Sequence, residues 1–132
     1  RIRAVLSPEE SLPAPGQGAL GIEIPAGRPE LARWLAPLAD PATTACVSAE
    51  RAFSRALGGS CQIPLGAYAT LEAETLHLRG FLSTPDGRRM VQGAISGVPA
   101  EADALGRTLA ARLRADGGEA ILALLACQPG SA

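Results

Sequence analysis

Within ten residues the hydrophobic period of this chain changes from that of a helix to that of a strand. The stretch is Leu57-Gly58-Gly59-Ser60-Cys61-Gln62-Ile63-Pro64-Leu65-Gly66. A helical pattern ends at Leu57. Two glycines then supply the left-handed backbone angles that stop a helix. Pro64 keeps Ile63 extended and blocks a return to helix. Whatever the fold, a tight loop carrying Cys61 must join two regular elements here. A thiol on such a loop can face solvent or a neighbouring domain and can be modified. It can equally be a small apolar filler, since unpaired cysteine is among the most buried residue types.

The rest of the chain must supply a core for those elements. At 132 residues, 47% apolar and 19% charged, it has enough for one domain of ordinary size. A net charge of −1 gives no electrostatic reason to expect nucleic acid or a membrane surface as partner. All 12 basic residues are arginine, which removes lysine Schiff-base chemistry and lysine-dependent phosphate loops. Aromatics at 3% are too few to form base-stacking platforms. No apolar run reaches membrane-span length, and no signal peptide is visible. Cys46, Cys61 and Cys127 lack metal-ligand spacing, and the one histidine, His77, cannot complete a zinc site with them. An odd cysteine count without a signal peptide points to reduced thiols in a cytosol. The chain begins at Arg1 and reads as a fragment or processed piece.

Residues 1–16 are polar and proline-rich. The run Gly16-Gln17-Gly18-Ala19-Leu20-Gly21-Ile22-Glu23-Ile24-Pro25 follows. Its alternation of Leu20, Ile22 and Ile24 with Gly21 and Glu23 predicts a strand ended by Pro25. The glycines at 16, 18 and 21 match GxGxxG weakly, because they precede the strand and no helix opens after them. A short helix is predicted over 29–38, with Leu31, Trp34, Leu35 and Leu38 on one side. Asp40 is placed as an N-cap before Pro41, and the next helix runs from about 41 to 57. Cys46, Ala49, Phe53 and Leu57 share its core stripe. Glu50, Arg51, Ser54 and Arg55 are assigned to the opposite face, where the arginines either stand in solvent or face a ligand. After Pro64 the period becomes two. Three strands are predicted, 65–74, 75–84 and 88–98, joined by turns at Glu72-Ala73-Glu74 and Thr84-Pro85-Asp86-Gly87. Helices over 100–115 and 119–126 close the pattern around Gly117-Gly118. Strands segregated from helices in this way predict an α+β fold, a three-stranded antiparallel sheet with helices on one face.

Two stretches together resemble a known family. They are Leu12-Pro13-Ala14-Pro15-Gly16-Gln17-Gly18-Ala19-Leu20-Gly21-Ile22-Glu23, and the run from Glu50-Arg51-Ala52-Phe53 through Gly58-Gly59-Ser60-Cys61-Gln62-Ile63-Pro64-Leu65-Gly66. Read together they are similar to the C-terminal part of the porphobilinogen deaminase (hydroxymethylbilane synthase) family. The resemblance covers essentially the whole chain, including the Thr84–Gly87 turn and the closing helices. Ser60 departs from it, standing where many members have glycine.

The resemblance implies a three-domain protein. Residues 1–36 would be the last returning segment of the first domain, with a strand of its sheet and a hinge to about 40. Residues 41–132 would be the third domain. Cys61 would carry a dipyrromethane cofactor through a thioether. On that primer four porphobilinogen units would be added, each losing ammonia, before hydrolysis frees hydroxymethylbilane for tetrapyrrole (heme) biosynthesis. Gln17, Gly18 and Ala19 would line the cofactor cleft. The carboxylate-binding arginine cluster and the aspartate acting on the pyrrole lie in family regions absent here, so no catalytic residue is expected in this fragment, which alone should be inactive. The implied partners are porphobilinogen and the missing N-terminal domains, with no nucleic acid, membrane or metal, in the cytoplasm. The alternative is a non-catalytic α+β interaction module with an inert Cys61. A cysteine-nucleophile enzyme is disfavoured, because His77 lies on a strand face with no partner set beside it.

Overall fold

A computed structural model describes residues 1–60 and 62–127. Helix α1 (Pro29–Leu35) continues as one 3-10 turn to Leu38. Helix α2 (Pro41–Ala56) starts at Asp40, whose Oδ1 accepts from the Thr43 N–H at 2.7 Å, with Pro41 in the first turn. That hydrogen bond also holds the Asp40 carboxyl below its usual range. The strands are β1 (Leu65–Glu72), β2 (Thr75–Ser83) and β3 (Met90–Gly97), antiparallel in the order β1-β2-β3. Glu72 pairs with Thr75, leaving a two-residue turn of Ala73 and Glu74. Ala73 adopts φ +53°, a left-handed angle uncommon without glycine or asparagine. Helix α3 (Ala102–Leu113) runs to a bend at Gly117, φ +110°, and α4 (Glu119–Ala126) follows.

The expected sheet with helices packed on it is what forms. Leu76, Leu78 and Leu82 point from β2 into the helical layer and are completely buried. Phe53 of α2, Leu57 at its C-cap, and Leu109 and Leu113 of α3 meet them there. Two glycines set the spacing of these layers. A Cβ on Gly106 of α3 would strike the backbone of α2 at Ala49 and Phe53, so its absence lets the two helices touch. A Cβ at Gly80 would fall 2.6 Å from Cζ of the Phe53 ring, whose tip occupies the space left over β2.

One expectation needs correction. No strand forms over Leu20–Ile24 among the described residues; the run is coil, with Leu20 98% exposed. A strand is stabilised by ladder bonds to a neighbour, and no described strand lies beside this one. The apolar side of α1 is divided: Leu31 and Leu35 are half-buried, whereas Trp34 and Leu38 stand 70% exposed. The periodicity was there, and that face is covered only in part.

Candidate functional site

The helix stop before the cysteine loop is a Schellman motif. The Gly59 N–H donates to the Ser54 carbonyl at 2.9 Å and the Gly58 N–H to the Arg55 carbonyl at 3.1 Å. Gly58 and Gly59 take φ +101° and +48° to make it. Downstream, the Ile63 N–H donates to the Ser60 carbonyl at 3.2 Å, and the Pro64 carbonyl accepts from Ser83 N–H at 2.9 Å. Both ends of the loop are thus fixed by backbone bonds, one to α2 and one to β2. Cys61 itself lies outside the described residues.

An open cleft of about 1210 Å³ lies along the outward face of α2. One wall is the segment from Pro15 to Ile24, and α1 with its 3-10 turn closes the side. Thr43, Thr44, Val47, Ser48, Arg51 and Arg55 form the α2 wall. Gly18 and Ala19 line the cleft; Gln17 is exposed, with its N–H on the Ala14 carbonyl at 3.0 Å. Arg55 pairs with Asp103 at 3.1 Å, and Asp103 also pairs with Arg107. Arg51 makes no ion pair among the described residues, so its guanidinium remains available to a carboxylate ligand. Cys46 sits half-buried against the core as expected, and burial pushes its thiol up, with Glu50 and Asp40 adding to the effect. A protonated thiol is a poor nucleophile. His77 Nδ1 meets Ser96 Oγ at 2.8 Å across two strands, on the sheet face away from the helices.

Glu50 is the residue that sequence reasoning misplaced. Assigned to the polar face of α2, it is only 6% exposed. Its Oε2 accepts from the Gly16 N–H at 2.6 Å and its Oε1 from the Ala69 N–H at 2.7 Å. Ala69 lies on β1, an outer strand whose outward N–H groups need acceptors. Pro13 satisfies its neighbour, the Ala67 N–H donating to the Pro13 carbonyl at 3.1 Å. Burial raises the Glu50 carboxyl above its usual range, and the two N–H donors counteract only part of that. Bonds to a charged acceptor contribute about 1.5–3 kcal/mol each, which ranks this contact well above the exposed Arg79–Glu9 pair at 3.1 Å. The signal was present in the spacing: position 50 is four after Cys46, three before Phe53 and seven before Leu57, on the buried stripe.

Among the described residues no group of three histidine, cysteine, aspartate or glutamate side chains could hold a metal ion, and no helix is long and apolar enough to cross a membrane. Residues 44–115 match the family "Porphobilinogen deaminase, C-terminal domain". Over 125 residues the chain is 57% identical to a porphobilinogen deaminase of Bordetella parapertussis, an alignment covering 95% of this chain and 40% of the relative. A porphobilinogen deaminase of Nitrosomonas europaea is 52% identical, with 96% of this chain and 41% of the relative covered. One of Paraburkholderia phymatum is 53% identical, with 100% and 41% covered. The chain therefore spans about 40% of the length of these relatives.

Proposed function

This chain belongs to the porphobilinogen deaminase family, and we propose from that premise that it is the primer-carrying part of a transferase that builds hydroxymethylbilane from porphobilinogen. The division at about residue 36–40 into an end segment of a first domain and a third domain belongs to the same proposal, as does a cytoplasmic location. Cys61 is the anchor of a dipyrromethane cofactor. The observation that carries the reading is one juxtaposition: Gly18, Ala19 and Arg51 line a single cleft along the helix that runs into the Cys61 loop.

That cleft suits the group. It is open, Thr43, Thr44 and Ser48 bring polar side chains to its α2 wall, and Arg51 offers a planar, permanently charged donor fork for carboxylate side chains. When bound, the cofactor supplies an electron-rich terminal pyrrole to which substrate units are joined. The chain's own residues do the holding. The Schellman motif and the Pro64 carbonyl bond fix both ends of the anchor loop. Gly18, at φ +84° and with open space where a side chain would project, lets a ligand approach the backbone closely. The activity of the whole protein needs groups contributed by the remaining length of the relatives, so residues 1–132 alone should bind without turnover. Denaturing mass spectrometry of the full-length protein tests the reading: a two-pyrrole mass increment on the peptide containing Cys61 supports it, and an unmodified thiol in an active preparation sinks it.

A further inference from the structure

We propose that Glu50 is a positioning residue, whose carboxylate fixes the Gln17-Gly18-Ala19 stretch against the helix and strand that flank the Cys61 loop. The proposal rests on the reading of that stretch as the wall of the cofactor cleft. Three observations lead to it.

Gly16 and Ala69 present N–H groups toward one another from two separate segments, and two donors cannot pair. A carboxylate solves this because each oxygen accepts from one of them, at 2.6 and 2.7 Å. An amide in the same pose has one acceptor oxygen and turns its NH2 toward the second donor. The bridged groups are also the ones whose relative position matters. Gly16 is the first residue of a turn at φ +76°, and the Ala19 N–H donates back to its carbonyl at 3.2 Å, so fixing Gly16 fixes Ala19. Finally, Glu50 sits on α2, two turns before the Schellman motif, and Ala69 sits on β1, which begins right after Pro64. One side chain therefore references the cleft wall to both ends of the anchor loop. Among the described residues the other polar tethers of this segment to the sheet are the Pro13 carbonyl on the Ala67 N–H and the exposed Arg79–Glu9 pair, both upstream of Gly16. Neither reaches the turn.

The test uses full-length protein carrying Glu50→Gln. Three readouts are taken: pyrrole mass on Cys61, steady-state turnover of porphobilinogen per adduct-bearing molecule, and amide exchange at Gly16 and Ala69. We expect the adduct to be retained, kcat/KM per adduct-bearing molecule to fall at least tenfold, and Gly16 exchange to accelerate at least tenfold while core amides such as Leu78 keep their rates. Glu50→Asp retains two acceptor oxygens and should recover part of the loss. Normal turnover per adduct-bearing molecule overturns the proposal, and so does a loss that only tracks the unfolded fraction. If Glu50→Gln does not fold, the unsubstituted protein decides: Gly16 must exchange far more slowly than Gly18, and equal rates overturn the proposal. A wild-type protein that turns over without an adduct sinks the cofactor reading and the proposal with it, whereas an adduct-bearing wild type beside a normal variant sinks the proposal alone.

Discussion

From residue 41 onward the chain is shaped by burial: Phe53, Leu76, Leu78 and Leu82 have no exposed surface, and Leu57, Leu109 and Leu113 keep only 1%. In the first forty residues no side chain is fully buried, and several large apolar ones stand in solvent, with Ile2 at 86%, Val5 at 84% and Leu20 at 98%. Its tethers to the body up to Gly16 include three polar contacts, at Glu9, Pro13 and Gly16. The two regions therefore answer differently to the same kind of change. Removing apolar volume damages the first and hardly touches the second, while removing a single acceptor does the reverse.

The sharpest way to probe this difference separates anchoring from folding. In the full-length protein, Cys61→Ser should abolish turnover and leave no pyrrole on the protein, because a hydroxyl is a far weaker nucleophile at neutral pH. Its stability should change by no more than about 1–2 kcal/mol. Cys46→Ser should do the opposite, costing stability through a hydroxyl set against the core while leaving attachment intact. Mass spectrometry paired with urea melts checks both, and a pyrrole retained on the Cys61 variant would break the assignment.

Within the body, Phe53→Ala removes a ring that fills the space over Gly80 and should cost about 3–5 kcal/mol, read as a lowered urea midpoint of residues 1–132. A cost under about 1 kcal/mol would mean that α2 and the sheet are not packed as described.

A smaller effect should appear with pH. Burial raises the Glu50 carboxyl in the folded state, so the folded chain holds that proton to higher pH than the unfolded chain does. Its contribution to stability is full below the unfolded value and declines as pH rises through the folded one. The stability of the wild type minus that of Glu50→Gln should therefore fall as pH rises above an ordinary glutamate value of about 4.3. Asp40 has the opposite sign: held low by the Thr43 N–H, it contributes stability that is lost as the solution is acidified. Urea midpoints of the two proteins across this range decide the point, and a difference that grows with pH contradicts the burial of Glu50.

The smallest effect belongs to the first region. Leu20→Ser, at a side chain that touches almost nothing, should change the stability of residues 1–132 by no more than about 0.5 kcal/mol. A loss comparable to that of Phe53→Ala would show that the segment is held by burial after all.

The sheet and the core helices were legible in the chain because period and turn chemistry agree there. Leu76, Leu78 and Leu82 alternate, Thr84-Pro85-Asp86-Gly87 makes a turn, and Phe53 and Leu57 fall on one helical stripe. Legibility failed where the decisive partner was distant. Leu20, Ile22 and Ile24 alternate correctly, but alternation supplies no neighbouring strand. Glu50 looked solvated because glutamate usually is, and only the meeting of Gly16 with Ala69 gives a buried carboxylate something to accept from. Around the cleft, Gly18 and Ala19 are lining residues and Gln17 is exposed beside them. A side chain's direction at a turn depends on backbone angles that residue identity alone leaves open.

The turn between β1 and β2 carries a different implication. Ala73 sits at φ +53°, where an L-residue costs roughly 1–2 kcal/mol that glycine avoids. Ala73 is not among the residues lining the cleft. A chain that tolerates such a residue there holds an unclaimed reserve of robustness: one substitution to glycine, remote from the chemistry, could offset a damaging change elsewhere. For an engineer or a drifting lineage, that hairpin tip is the place where tolerance to further mutation can be gained.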